Sequence, residues 1–394
     1  MTTHTYKTEA LALHEQYAGK IEVASKIEVN SEEDLSVVYT PGVSEVCKAI
    51  AADETKVNKL TSRGKMIGVV TDGTAVLGLG NIGPKAALPV MEGKSILFKS
   101  FAGLDAFPIC LDTTNTEEII AMVKALQPNF AGINLEDIAA PRCFEIEARL
   151  KEELDIPVFH DDQHGTAIVV LAALLNASKV VKKQHDDLKI VINGAGSAGI
   201  AIARLLLAAG YNNISLVSLE GVVCEGADWM NPAQQDIATQ TNSAHIQGDL
   251  NDVIVQADVF IGVSGPNALS SAHIATMNEN PIIFALANPV PEIYPEDARA
   301  AGATVIGTGR SDYPNQINNL LAFPGIFKGI LQAQKKDITM AAKVAAAHAI
   351  AEVIAPSELT VDYVIPSALN PNVVDAVADA VEAAVTEDQA VTMN

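Results

Sequence analysis

Lys189-Ile190-Val191-Ile192-Asn193-Gly194-Ala195-Gly196-Ser197-Ala198-Gly199, continuing as Ile200-Ala201-Ile202-Ala203-Arg204-Leu205-Leu206-Leu207-Ala208-Ala209, decides the fold. A short apolar run enters a G-x-G-x-x-G turn and leaves as a long helical run without proline. Strand, glycine turn and helix N-terminus in that order let a pyrophosphate approach free backbone N–H groups. Gly194, Ala195, Gly196, Ser197, Ala198 and Gly199 are therefore the expected cofactor-binding residues. Strand-like Lys189 to Asn193, helix-like Gly199 to Ala209 and strand-like Asn213 to Val217 make a βαβ unit, with more strands at Val259 to Val263, Pro281 to Ala285 and Thr304 to Ile306. These segments predict a Rossmann-type domain.

A second G-x-G-x-x-G, Gly78-Leu79-Gly80-Asn81-Ile82-Gly83, fits the requirement less well. Pro84 suits a first helical turn, but Pro89 and Gly93 are expected to limit any helix to a few residues. This copy reads as a glycine-rich loop lining a site. At the end of the second Rossmann strand, position 218 is Ser rather than an acid. Glu220 follows, and no Lys or Arg lies between Val217 and Trp229 to hold a 2′-phosphate. NAD is favoured over NADP on that basis.

Upstream, apolar runs at Met66 to Thr71, Ser95 to Phe98, Phe107 to Leu111, Gly132 to Leu135 and Pro157 to Phe159 alternate with helical stretches such as Glu117 to Leu126 and Pro141 to Leu154. The alternation predicts a second, largely parallel sheet covered by helices. The fold class is α/β with two such domains and C-terminal helices. The expected division is a catalytic domain over 1–163, the dinucleotide domain over 164–325 and a helical segment over 326–394 packing back on the core.

Two carboxylate pairs follow strand-like runs, Glu136-Asp137 after Gly132 to Leu135 and Asp161-Asp162 after Val158-Phe159. Ligands collect at the C-terminal ends of parallel strands. Carboxylate oxygens with water and a bidentate substrate suit Mg²⁺ or Mn²⁺. Solvated loop acids or helix caps are the plain alternative. His160 and His164 flank the second pair, but lack partners at zinc spacing and read as hydrogen-bonding or packing residues.

The balance of 26 basic against 48 acidic residues, net charge -22, disfavours nucleic acid and anionic membranes as partners. The apolar run Thr166 to Ser178 has 13 residues before Lys179, short of the roughly 20 that span a bilayer, and reads as a buried helix. Cys47, Cys110, Cys143 and Cys224 are scattered, as in a reduced cytoplasmic protein. The first 20 residues lack a signal-peptide pattern.

Tyr39-Thr40-Pro41-Gly42-Val43, Thr71-Asp72-Gly73, Met91-Glu92-Gly93-Lys94, Phe101 to Asp105, Asn134-Leu135-Glu136-Asp137, His160 to Thr166 and Phe323-Pro324-Gly325 resemble the malic enzyme family in order and spacing. The resemblance runs over nearly the whole chain and is to the short bacterial branch. It implies Tyr39 as general acid, Lys94 as general base with Asp161 beside it, and Glu136, Asp137 and Asp162 as ligands of Mn²⁺ or Mg²⁺. It implies Asn288 facing nicotinamide and substrate, Asn319 on a substrate carboxylate, and a homodimer. Ala75 stands where longer relatives place an Arg that clamps a substrate carboxylate. Arg310 is the expected replacement.

The implied activity is oxidative decarboxylation of L-malate to pyruvate and CO₂ with reduction of NAD(P), which needs Lys94 to have a lowered pKa. The alternatives are a malolactic reaction with retained NAD, or a non-catalytic redox sensor binding NAD and metal.

Overall fold

The computed structural model describes residues 3–76 and 78–392. Among these residues, nine strands form two parallel sheets. The first contains β1 (Met66–Thr71), β2 (Asp105–Cys110), β3 (Gly132–Leu135) and β4 (Val158–His160) in the order β2-β1-β3-β4. The second contains β5 (Ile190–Asn193), β6 (Ile214–Val217), β7 (Val259–Gly262), β8 (Ile282–Ala285) and β9 (Val305–Thr308) in the order β6-β5-β7-β8-β9. Every strand of the second sheet, and β3 and β4 of the first, is buried along its whole length. Helices cover both faces, so these strands read as continuous apolar runs rather than alternations.

The run Ser95 to Phe98 is not a strand. It ends the helix Pro84–Leu97, whose 14 residues also correct the expectation that Pro89 and Gly93 would allow only a short helix. Proline inside a helix costs about 3 kcal/mol. Burial of Ala87 and Met91, together with packing on β1 and β2, offsets it, since one large apolar side chain contributes about 1.5–3 kcal/mol. Lys20 Nζ also donates to the Pro89 carbonyl at 2.7 Å. This helix carries Lys94.

The helix Asp161–Val181 joins the two sheets. By length and composition it could cross a membrane, being longer than the 13-residue run apparent in the sequence, but 67% of its apolar window is buried inside the protein. It packs on the helices Ser197–Ala208 and Met340–Glu352, within one core that takes in Ile67 and Phe159 of the first sheet and Ile190 and Ile261 of the second. Asn176 Nδ2 donates from it to the carbonyls of Ala351 and Val364, at 2.9 and 3.1 Å. Positions 163/164 and 325/326 fall inside this helix and inside Phe323–Gln332.

The N-terminal arm is built differently. Its helices Thr3–Tyr17, Glu32–Val38 and Val43–Ala52 precede the first sheet, and none of the described residues before Ile67 is buried. Leu11, Tyr17, Val23, Ile27 and Val37 stand exposed along it.

Candidate functional site

In each sheet the strand order reverses beside the first strand, between β1 and β3 and between β5 and β7. The C-terminal ends of parallel strands at such reversals open into crevices. Here the two crevices share one cavity of about 570 Å³, whose walls include Lys94, Glu136, Asp137, Asp162, Ser197, Ala198, Asn288 and Asn319.

The glycine turn after β5 is shaped as its sequence requires. Gly194 has φ +122°, and a Cβ there would lie 2.6 Å from the Val263 carbonyl oxygen. A Cβ on Gly199 would lie 1.8 Å from the Gly194 carbonyl oxygen, so helix and turn touch. A Cβ on Gly196 would meet nothing within 4 Å, and that position opens the helix N-terminus to a ligand. The first glycine loop lines the same cavity through Ala75 and Gly78. A Cβ on Gly78 would meet the Asn288 carbonyl oxygen at 2.5 Å, which brings this loop against the second sheet.

Two buried carboxylates pair with one ammonium. Lys94 Nζ lies 2.6 Å from Asp161 Oδ2 and 3.0 Å from Glu136 Oε1, and 4.4 Å from the centre of the Phe323 ring. Asn319 Nδ2 donates to the same Asp161 oxygen at 2.6 Å, and Asn134 Nδ2 donates to Glu136 Oε2 at 2.8 Å. The Asp137 backbone N–H donates to Asp162 Oδ2 at 2.8 Å. Ligand atoms of Glu136, Asp137 and Asp162 lie within 4.8 Å of one another, and Asp137 Oδ2 is buried without a hydrogen-bond partner. An acid trio this close, with a bare oxygen, fits a hard divalent cation.

Burial, reinforced by Asp162 and Glu136, pushes Asp137 up to about 9. Burial pushes Asp162 up to about 6 and Asp161 up to about 7, in each case against the pull of Lys94. The expectation of a lowered Lys94 is corrected. Burial alone would lower it, but Asp161 and Glu136 outweigh burial and hold the ammonium well above its usual range.

Two expected residues stand apart from the cavity. Tyr39 ends the helix Glu32–Val38 with 66% of its surface exposed and is not part of the cavity wall. Arg310 donates to both oxygens of Asp312 at 2.9 and 2.6 Å and to the Pro289 carbonyl at 2.9 Å, so its guanidinium is already engaged. At the end of β6, Ser218 Oγ donates to Glu220 Oε2 at 2.6 Å.

His160 is fully buried and neither of its ring nitrogens has a hydrogen-bond partner, so its ring only packs, whereas His164 bonds to Glu147 and Lys343. Sequence reading gave no role to Asn134, Asp72 or Glu292. Asp72 pairs with the Arg142 guanidinium at 2.9 Å, which braces the loop after β1. Glu292 accepts from the N–H groups of Ser264 and Ala287 at 3.0 and 3.1 Å, which joins two cavity loops. The available signal was a polar residue inside an apolar run, as in Gly132-Ile133-Asn134-Leu135.

Fold and site define a two-domain α/β protein whose Rossmann-type turn opens onto a buried carboxylate cluster. Residues 18–151 match the malic enzyme N-terminal domain, and residues 163–389 match the malic enzyme NAD binding domain. The chain belongs to the malic enzyme family. It is 56% identical over 382 residues to the bifunctional malic/malolactic enzyme of Bacillus subtilis, covering 97% of this chain and 93% of that one. It is 58% identical to the NAD-dependent malic enzyme of Geobacillus stearothermophilus, over 92% of this chain and 76% of that one. Among solved structures, the NAD-dependent malic enzyme of Thermotoga maritima superposes with a TM-score of 0.92 at 50% identity, covering 95% of this chain and 98% of that one.

Proposed function

We propose that this protein oxidatively decarboxylates L-malate to pyruvate and CO₂ with NAD as hydride acceptor. The observation that carries the reading is the single cavity in which the Ser197-Ala198 helix start, Lys94 and the carboxylates Glu136, Asp137 and Asp162 all meet. Glu136, Asp137 and Asp162 would hold Mn²⁺ or Mg²⁺. When bound, the cation supplies Lewis-acid polarisation of the substrate oxygen while NAD accepts hydride. Glu220 beside Ser218, with no cation nearby in sequence, supports NAD over NADP.

Lys94 is the group that takes the C2 hydroxyl proton, and it must first give up a proton of its own. Asp161, 2.6 Å away and pushed up to about 7, can hold that proton. Asn319 offers an amide donor to a substrate carboxylate, Asn288 faces nicotinamide and substrate, and Arg310 would contact a carboxylate after leaving Asp312. Tyr39 is the acid that protonates C3. Since it lies off its own chain's cavity, we assign it to the cavity of a second copy in a homodimer. The unburied apolar arm before Ile67 supports that pairing, because a surface of this kind needs a cover. We retain 1–163, 164–325 and 326–394 as the division of labour, and the four free thiols support a cytoplasmic setting.

The test is an assay of L-malate with NAD or NADP, with and without Mn²⁺, following reduced cofactor and identifying the product. Pyruvate with stoichiometric NADH, dependent on metal, is expected. The B. subtilis relative's bifunctional name favours one second reading, lactate formed without net NADH, and the same product analysis separates the two. Turnover without metal overturns the proposal.

A further inference from the structure

Behind the carboxylate trio lies a buried charged chain that the proposed chemistry does not use. Glu147, in the helix Arg142–Glu153, is 5% exposed. Its Oε1 accepts the His160 backbone N–H at 3.1 Å and forms an ion pair with Lys151 Nζ at 2.6 Å. Its Oε2 lies 2.9 Å from His164 Nε2. On the other side of the ring, Lys343 Nζ from the helix Met340–Glu352 lies 3.0 Å from His164 Nδ1. Lys151 Nζ is a more distant neighbour of the ring, 3.5 Å from Nε2.

The partners settle the ring's proton. A carboxylate only accepts, so Nε2 carries the hydrogen, Nδ1 accepts, and Lys343 donates. Glu147 thus grips residue 160 by its backbone and residue 164 by its side chain. Between those two grips lie Asp161 and Asp162, the first turn of the helix Asp161–Val181.

We propose that Glu147, acting with His164 and Lys343, is a positioning residue that brackets this turn and holds Asp162 in register with Glu136 and Asp137 for a divalent cation. The inference rests on the metal reading above. It also gives the helix Met340–Glu352 a part in shaping the site, through Lys343.

The bracket needs two acceptor atoms from residue 147, and glutamine has one. In Glu147→Gln, an amide N–H opposes either the His160 N–H or the His164 Nε2–H as long as Lys343 donates to Nδ1 and so keeps the ring proton on Nε2. Removing Lys343 as well frees the ring to shift its proton to Nδ1, so Nε2 can accept from the glutamine amide. The double variant Glu147→Gln/Lys343→Met is therefore expected to restore what the single one loses.

The measurement is Mn²⁺ affinity of the full-length protein, read from the EPR signal of free Mn²⁺, with NAD affinity in parallel. Glu147→Gln is expected to weaken Mn²⁺ about tenfold, a loss of the size that disturbing a metal ligand's surroundings brings, because the turn that carries Asp162 is released, with NAD affinity unchanged. The double variant is expected to return to within about threefold of wild type. Wild-type affinity within twofold in folded Glu147→Gln overturns the proposal, as does a double variant weaker than that threefold limit. If the single variant does not fold, the double variant decides by the same limit. Absence of Mn²⁺ binding to the wild type, or binding unaffected by Asp162→Asn, overturns the metal reading itself and is distinct from failure of the bracket alone.

Discussion

Lys343 gives a stability prediction with a definite sign. Its ammonium is almost fully buried, and burial first, then Lys151 and Arg204, lower it to about 7 against the pull of Glu147. The groups facing it are therefore His164 on the Asp161–Val181 helix, Glu147 and Lys151 on Arg142–Glu153, and Arg204 on Ser197–Ala208. In the unfolded chain the same lysine titrates near 10.5. Between those values the unfolded state binds the extra proton, so stability rises with pH across that window and the full penalty applies below about 7. For one such group the penalty is about 4–5 kcal/mol at pH 6 and about 2 kcal/mol at pH 9. Lys343→Met removes the titration, and two of the groups it faces, Glu147 and His164, are both held well below this pH range. Its stability relative to wild type, from urea unfolding, is expected to fall by about 2–3 kcal/mol between pH 6 and pH 9. Loss of the bond to His164 lowers the whole difference by about 1 kcal/mol without changing its slope. A difference that is flat across this range would refute the reasoning, since it would mean that the lysine keeps an ordinary pKa in the fold.

Mixing inactive Tyr39→Phe and Lys94→Ala proteins is expected to restore up to about a quarter of wild-type activity, because half of randomly formed dimers are mixed and each holds one intact site. No recovery after subunit exchange would place Tyr39 in its own chain's site. Gly196→Ala should leave the urea midpoint unchanged while abolishing measurable NAD binding, because its Cβ meets only the space a pyrophosphate needs. Gly199→Ala, whose Cβ collides with the Gly194 carbonyl, should instead cost about 1–3 kcal/mol of stability as well. Arg310→Ala is expected to raise the malate KM about tenfold or more, the worth of a charge-assisted hydrogen bond. An unchanged KM would leave Arg310 with only its bonds to Asp312 and Pro289.

What was legible in the chain was local. A strand, a glycine turn and an unbroken helix lie consecutively from Lys189 to Ala209, and each constrains a few neighbouring dihedrals, so the Rossmann unit could be read directly. The acid pairs could be placed at strand ends for the same reason, since β3 runs straight into Glu136 and β4 straight into Asp161. Pro89 misled because its local penalty was visible, whereas the burial of Ala87 and Met91 that offsets it was not.

The sequence by itself determined the two parallel sheets, the dinucleotide turn and the acids available to a metal. Tertiary structure alone decided the state of Lys94, which lies 67 residues from Asp161 in sequence yet 2.6 Å away in space, and whose charge those carboxylates hold in place. It also brought Lys343 to His164 across 179 residues and left Tyr39 on an outer surface. Backbone patterning acts over a few residues and leaves a period in the chain. Desolvation and Coulomb forces act between whatever the fold brings together, and they leave no such trace.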